Sequence, residues 1–344
     1  MSSSRGSILM LYTGGTIGMI RDEDSGSLQP FEFSNLLKQI PELDQLNCHI
    51  DTDSLDSPID SSNIGPPEWQ RLARRIASSY HQYDGFVVLH GSDTMAYTAS
   101  ALSFMLQNLS KPVVLTGSQL PIGIPRSDAR ENLLTTLEIV LECNDEGGAR
   151  VPEVGVYFEY DLFRGNRVHK NSTQDFEAFH SFNYPKLAEA GVHIQYNDLH
   201  IARASTGTFR LEPELDARLG VLSLFPGITP EFALPVLENP HLQALIIRTF
   251  GSGNGLTAPW FLRGIENCLA RGTAVINVSQ CSGGGVFQGQ YESSRQLKQL
   301  GVISGHDMTF EAASTKAMHL LGQGAHGEAF AESYQQNLAG ELTP

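Results

Sequence analysis

The chain has 344 residues, 41 % of them apolar and 18 % charged, and 23 Lys+Arg against 38 Asp+Glu give a formal net charge of −15. At roughly 150 residues per domain this length predicts about two domains, and the composition is that of a chain with a packed core. The acidic excess argues against a basic face that tracks a nucleic-acid backbone and against a surface helix held on anionic lipid.

The N-terminal stretch carries one basic residue, Arg5, and an apolar run, residues 8–12, that ends at the first glycines. A secretory core needs roughly 7–15 apolar residues and a membrane span about 18 or more, so cytoplasm is the expected compartment. Residues 8–12 read as a strand entering Thr13-Gly14-Gly15-Thr16-Ile17-Gly18, and residues 85–90 (GFVVLH) and 112–116 (PVVLT) repeat that design. Such unalternated runs predict parallel strands covered on both faces. Between them Trp69, Leu72, Ala73, Ile76, Ala77 and Tyr80 recur at helical spacing behind Pro66 and Pro67. A second helix is predicted from about Asp93 or Thr94, with Met95, Ala99, Leu102 and Leu106 on one face, and a third over 127–143.

After a strand at 154–160 the rhythm changes. Residues 197–218 are polar and weakly periodic, and read as an interdomain linker. Alternation then resumes, with strands at 220–225, 244–249 and 273–279 and helices at 259–270 and 309–321. The expected fold is α/β with two α/β domains: a larger N-terminal one over 1–196 built on a doubly wound, mainly parallel sheet, and a smaller C-terminal parallel-sheet domain over 219–344.

In an open parallel sheet, ligands bind beyond the carboxyl ends of the strands. Three glycine-bearing turns fall there, at 13–18, 91–94 and 117–120, and offer Thr16, Ser92 with Asp93, and Ser118. Glycine lets backbone N–H groups approach a ligand, although the same hydroxyls also serve as ordinary helix caps. The glycine spacings match neither the dinucleotide fingerprint nor the P-loop. No G-x-S-x-G elbow and no H-x-x-x-H pair occurs, and Cys48, Cys143, Cys268 and Cys281 form no C-x-x-C. Four reduced, buried thiols are expected.

The strings YTGGTIGM (12–19), DGFVVLHGSDTMAYTASALSFML (84–106) and KPVVLTGSQLPI (111–122) resemble the L-asparaginase family, especially its cytoplasmic bacterial type I members. RSDARENLL (126–134), FRGNRVHK (163–170) and the C-terminal NLAGELTP extend the likeness over essentially the whole chain. The resemblance implies hydrolysis of asparagine to aspartate and ammonia with no metal or cofactor. It implies Thr16 as nucleophile, and Ser92, Asp93 and Lys170 as the set that moves its proton. Chemically, a threonine hydroxyl needs such a base, and a lysine serves only where its surroundings let it release or pass a proton. By the same resemblance Asp60, Ser61 and Ser62 form the turn that binds the substrate carboxylate, and Asp93 meets its ammonium. Backbone N–H groups near Ser92 face the developing oxyanion. Asn254 in GSGNG corresponds to a residue that reaches the site from a neighbouring subunit, so a homodimer or homotetramer is expected.

Three departures stand out. Ser92 occupies a position usually held by threonine, and loses the methyl that restricts its rotamer. The loop after Thr16 lacks the family's frequent tyrosine, and GSLQPF places only Leu28 nearby. Arg248 and Cys281 correspond to residues of a regulatory asparagine site found in type I members, whereas His169 replaces a threonine there. Two other readings stay open: a glutaminase-leaning amidohydrolase using the same residues, and a non-catalytic amino-acid sensor on the same fold.

Overall fold

The computed structural model describes residues 6–21, 28–30, 40–46, 48–55, 57–289 and 291–343. The chain divides into two compact units, Met1–Pro213 and Glu214–Pro344.

The first unit is built on an eight-stranded sheet. Its strands are β1 (Gly6–Tyr12), β2 (Cys48–Ser54), β3 (Gly85–Leu89), β4 (Val113–Thr116), β5 (Val154–Phe158), β6 (Asp161–Arg164), β7 (Ala188–Ala190) and β8 (Ile194–Tyr196), in the order β8-β7-β6-β5-β4-β3-β1-β2. The five strands from β2 to β5 along the sheet pair in parallel, and the remaining three add antiparallel. Helices α1 (Pro66–Ser79), α2 (Met95–Met105) and α3 (Ala129–Leu141) connect them. Every residue of β3 and β4 is buried, which explains why those segments show no alternation. β2 instead alternates half-buried and exposed positions, as an edge strand does. Its sequence, CHIDTDS, carries too few apolar residues to announce itself.

Helix α1 starts where Pro66 needs no N–H partner, and the Glu68 carboxylate accepts the Gly65 N–H at 3.1 Å. It buries Trp69, Leu72, Ala73 and Ile76. Helix α2 is buried on nearly every side rather than on one face, because Thr98 and Ser100 point inward beside Ala99 and Leu102. The segment expected to link the domains straddles the division between units. Arg210–Leu211 pair with Leu106–Gln107, and Phe209 stacks on Tyr80 with 3.8 Å between centroids, both in the first unit. The Asp216 N–H bonds the Met318 carbonyl at 2.9 Å in the second.

The second unit carries a parallel sheet, β9 (Leu219–Ser223), β10 (Ala244–Thr249), β11 (Ala274–Ser279) and β12 (Ile303–Ser304), in that spatial order. Leu245 and Ile247 enter the layer containing Phe261 and Leu297, while Ile246 enters the layer containing Phe330. Five helices cover the sheet: α4 (Pro230–Leu237), α5 (Pro259–Ala270), α6 (Glu292–Leu300), α7 (Phe310–Gly322) and α8 (Gly327–Gln335). One ion pair lies wholly inside. Lys316 Nζ on α7 donates to Glu341 Oε1 and to the Gln336 carbonyl, both at 2.5 Å, with neither charged side chain exposed. Glu341 also accepts the Leu338 and Ala339 N–H groups, so this pair ties the C-terminal segment to the core. Glu341→Ala strands a buried ammonium and should cost about 3–5 kcal/mol in urea unfolding, whereas Lys316→Met with Glu341→Leu should cost clearly less.

Candidate active site

The parallel part of the large sheet runs β2-β1-β3-β4-β5, so its strand order reverses between β1 and β3. Loops leaving neighbouring strands at such a reversal diverge to opposite faces and leave a crevice at the carboxyl ends. The turns expected to carry chemistry leave the strands at this place.

Two glycines bring them into contact. Gly14 and Gly15 adopt φ of 125° and 94°, a region that favours glycine. A Cβ on Gly15 would lie 2.5 Å from Gly91 Cα, and one on Gly91 would lie 2.5 Å from Ser61 Oγ. The turns after β1 and β3 therefore pack backbone to backbone, and the Ser61 side chain from the turn after β2 fills the space beside Gly91. Thr16 opens a short 3₁₀ turn, Thr16–Gly18, and is half-buried. Among the described residues its side chain makes no hydrogen bond. Thr94 Oγ1 donates to the Ser61 carbonyl at 2.6 Å and pins the second turn to the third.

Lys170 reaches this crevice from a two-stranded ribbon, His169–Lys170 paired antiparallel with Phe179–His180. Its Nζ donates to Ser92 Oγ at 2.8 Å and to Asp93 Oδ1 at 2.6 Å. The lysine side chain is 14 % exposed and the aspartate 63 %, so one carboxylate face stays open to a ligand. Ser92 Oγ also lies 3.4 Å from Gln119 Oε1, the acceptor for its own hydrogen. Asp60 Oδ1 accepts the Ser62 N–H and hydroxyl, both at 2.9 Å, and these bonds hold its carboxyl below the usual range. Ser61 is buried between them and Gly91. The Ser118 hydroxyl donates to the Leu120 carbonyl at 2.6 Å, which closes the turn after β4.

The arrangement offers a hydroxyl on a glycine turn and a lysine–serine–aspartate set, elements of nucleophilic attack on a carbonyl. Residues 7–202 match the family described as "Asparaginase, N-terminal", and residues 218–333 match "Glutaminase/Asparaginase C-terminal domain". The chain belongs to the asparaginase family. It is 41 % identical over 345 residues to L-asparaginase 1 of Escherichia coli (strain K12), covering 98 % of each chain. Among solved structures it is similar to L-asparaginase I from Vibrio cholerae, with TM-score 0.90, 39 % identity, and coverage of 99 % of this chain and 100 % of that one. The thermostable L-asparaginase from Thermococcus kodakarensis gives TM-score 0.89 at 34 % identity, covering 98 % and 99 %.

Of the remaining residues marked in the sequence, three belong to the second unit. Asn254 sits in the second unit, in a tight loop where its N–H bonds the Phe250 carbonyl at 2.8 Å and Gly253 has φ of 104°. Arg248 lies on β10 with its guanidinium 4.8 Å from the Phe310 ring centre, and its Nε is buried without a hydrogen-bond partner among the described residues. Cys281 is exposed, as is Cys143, so of the four thiols expected to be buried only Cys268 is fully so, and His169 pairs with His180 in the ribbon that carries Lys170. The loop after Thr16 that lacks the family's tyrosine falls largely outside the described residues, as does the side chain of Leu28.

Several supporting residues escaped the sequence reading. Gln119 bridges Ser92 to the Asp175 carbonyl, which its Nε2 reaches at 2.9 Å. Asp128 accepts the N–H groups of Gln119 and Leu120 at 2.8 and 3.0 Å and so anchors that turn. His90, at the end of β3, is fully buried, and burial pushes its pKa down to about 4, so the ring is neutral at neutral pH. An RSDAR string and a histidine before a glycine were the available signals, and neither reveals a partner.

The Gly15–Gly91 contact makes a direct prediction. Gly15→Ala meets both a left-handed backbone and a closed space, while Gly147, with φ of 81°, faces nothing within 4 Å. Gly147→Ala should cost about 1 kcal/mol in urea unfolding, from backbone strain alone, and Gly15→Ala about 3 kcal/mol or more. Amide hydrolysis measured in the same samples should fall at least tenfold only for Gly15→Ala.

Proposed function

We propose that this chain hydrolyses the side-chain amide of L-asparagine to L-aspartate and ammonia. The observation that carries the reading is Lys170 Nζ, bonded at once to Ser92 and Asp93 beside the Thr16 turn, in a chain of the asparaginase family. Thr16 Oγ attacks the amide carbon, and its proton passes to the Ser92–Lys170 pair. That proton returns to the departing nitrogen as the carbon–nitrogen bond breaks and ammonia leaves. Water then hydrolyses the acyl-threonine ester by the same proton route in reverse, and aspartate is released. The free face of Asp93 receives the substrate ammonium, and the 60–62 turn receives its carboxylate. Ser118, on the turn after β4, is assigned to substrate binding by the same reading, and no metal or cofactor is required.

The same reading assigns Asn254 to the site of a neighbouring subunit, which makes the active form a homodimer or homotetramer. It places Arg248, Cys281 and His169 in a second, regulatory asparagine site, and the buried unpartnered Nε of Arg248 supports a ligand there. Four free cysteines accord with a reducing, cytoplasmic setting, and among the described residues no helix is long and apolar enough to cross a membrane.

Thr16→Ala should lower ammonia release from asparagine by roughly 10⁴-fold or more, the order expected when one member of a coupled nucleophile set is lost. An unchanged rate rejects the assignment, and saturable asparagine binding without ammonia release by the unaltered chain leaves a sensor in its place. The second family description names glutaminase as well. One methylene is worth only about 1–3 kcal/mol of discrimination. Comparing kcat/KM for the two amides should therefore show asparagine preferred by about 10–200-fold, and a glutamine preference makes the chain a glutaminase. Over the same concentration series, a sigmoidal response to asparagine that Arg248→Ala makes hyperbolic supports the regulatory site, whereas a hyperbola in the unaltered chain removes it.

A further inference from the structure

Behind Ser92 a line of buried polar side chains ends on the backbone of the active-site turn. Trp69 on α1, Thr98 on α2 and His90 at the end of β3 are 5 %, 0 % and 0 % exposed. Trp69 Nε1 lies 2.9 Å from Thr98 Oγ1, Thr98 Oγ1 lies 2.8 Å from His90 Nε2, and His90 Nδ1 lies 2.7 Å from the Gly91 carbonyl. Only one arrangement of hydrogens satisfies all four groups. Indole Nε1 can only donate and the Gly91 carbonyl can only accept. Thr98 therefore accepts from Trp69 and donates to His90 Nε2, and His90 Nδ1 carries the proton given to Gly91. The chain of bonds has a direction, and it ends on one peptide group.

That peptide is the one joining Gly91 to Ser92. In a planar trans peptide the C=O and N–H point opposite ways, so a carbonyl held toward the core turns the Ser92 N–H outward, to the side where Lys170 meets Ser92. The Ser92 N–H makes no hydrogen bond among the described residues. Gly91 has no side chain that could restrain the rotation of this peptide. We propose that His90 is a positioning residue for amide hydrolysis: its Nδ1–H fixes the rotation of the Gly91–Ser92 peptide and thereby aims the Ser92 N–H at the oxygen that gains charge in the tetrahedral intermediate. Thr98 and Trp69 hold His90 in the tautomer that can do this. The inference rests on the amidohydrolase reading and adds to it a second layer that no reacting atom touches.

The test compares two replacements of nearly equal polarity in the full-length chain. Asparagine places its amide nitrogen where His90 has Nδ1, and can still bond the Gly91 carbonyl; glutamine places its nitrogen near Nε2, and reaches Thr98 instead. His90→Gln should lower kcat for asparagine about 10²-fold or more, the loss typical of one oxyanion donor, with KM and the calorimetric affinity for aspartate changed less than about threefold. His90→Asn should keep at least about ten times the kcat of His90→Gln. A packing role predicts the reverse order, since glutamine fills the volume better, and that order, or equal losses, overturns the proposal. Should both variants fail to fold, Thr98→Val and Thr98→Ser replace them. The valine should lower kcat about tenfold below the serine at unchanged KM and matched melting temperatures, and equal kcat values overturn the proposal. If the unaltered chain releases no ammonia from either amide, the functional reading itself fails and takes this inference with it, a result visible before any substitution is made.

Discussion

The site depends on a contact between two backbones. Gly15 and Gly91 leave adjacent parallel strands at the point where the sheet reverses its winding, and there the loops must diverge. A methyl group on either one would overlap its neighbour. Because they touch, Thr16 on one loop and Ser92 on the other are separated by backbone geometry and not by side-chain packing. Backbone is the stiffer spacer, since it adds no rotamers to the distance between two reacting groups. The third turn joins through Ser61, which fills the space that a Gly91 side chain would occupy and accepts the Thr94 hydroxyl on its carbonyl. Three loops from three strands thus behave as one piece, and helix α2, buried on nearly all sides, holds that piece from behind.

Much of this frame was legible in the chain because burial on both faces leaves a signature. The runs at β1, β3 and β4 contain no polar interruption, and the helix α1 shows its apolar positions at the correct spacing. Where the structural context is mixed the signature fades. β2 lies at an edge and reads as polar chain, and β6 to β8 are short antiparallel additions, two of their pairings hairpins and the third, β6 with β7, joined across a long connection. The hairpin between β5 and β6 turns on Glu159 and Tyr160, with φ of 44° and 72°, a left-handed pair that normally calls for Asn-Gly. No rule of turn composition would have placed it.

The site divides in the same way. Glycine followed by a hydroxyl at a strand end is a local pattern, and it marked Thr16, Ser92 and Ser118 without any structure. Lys170 is 78 residues from Ser92, on a ribbon of two residues per strand, and no periodicity leads to it. Family likeness alone singled it out. The Trp69–Thr98–His90 line is less visible still, because its members come from two helices and a strand and look like ordinary core residues. Supporting groups of this kind are fixed by tertiary contact, and a tryptophan and a threonine announce nothing about their hydrogen bonds.

Ser92 shows how such contacts compensate for a local loss. A threonine there would be held by its own methyl, since two heavy atoms on Cβ leave few rotamers. Serine lacks that restraint, and an unrestrained hydroxyl spends part of its time pointing away from the reaction. Here the restraint comes from outside the residue. Lys170 donates to Ser92 Oγ at 2.8 Å, and is itself steadied by Asp93 at 2.6 Å, while Gln119 stands where the hydroxyl hydrogen points. A charged donor bond is worth about 1.5–3 kcal/mol, more than the bias of order 1 kcal/mol that an off-rotamer side chain must overcome. In the proposed reaction the lysine therefore has two duties toward the same atom: it sets the direction of the hydroxyl and it takes part in moving its proton. In the threonine version the first duty is shared with a methyl group. In this chain it falls on Lys170 and Gln119, so the geometry of Ser92 is tied to the same lysine that the proposed reaction uses to move its proton.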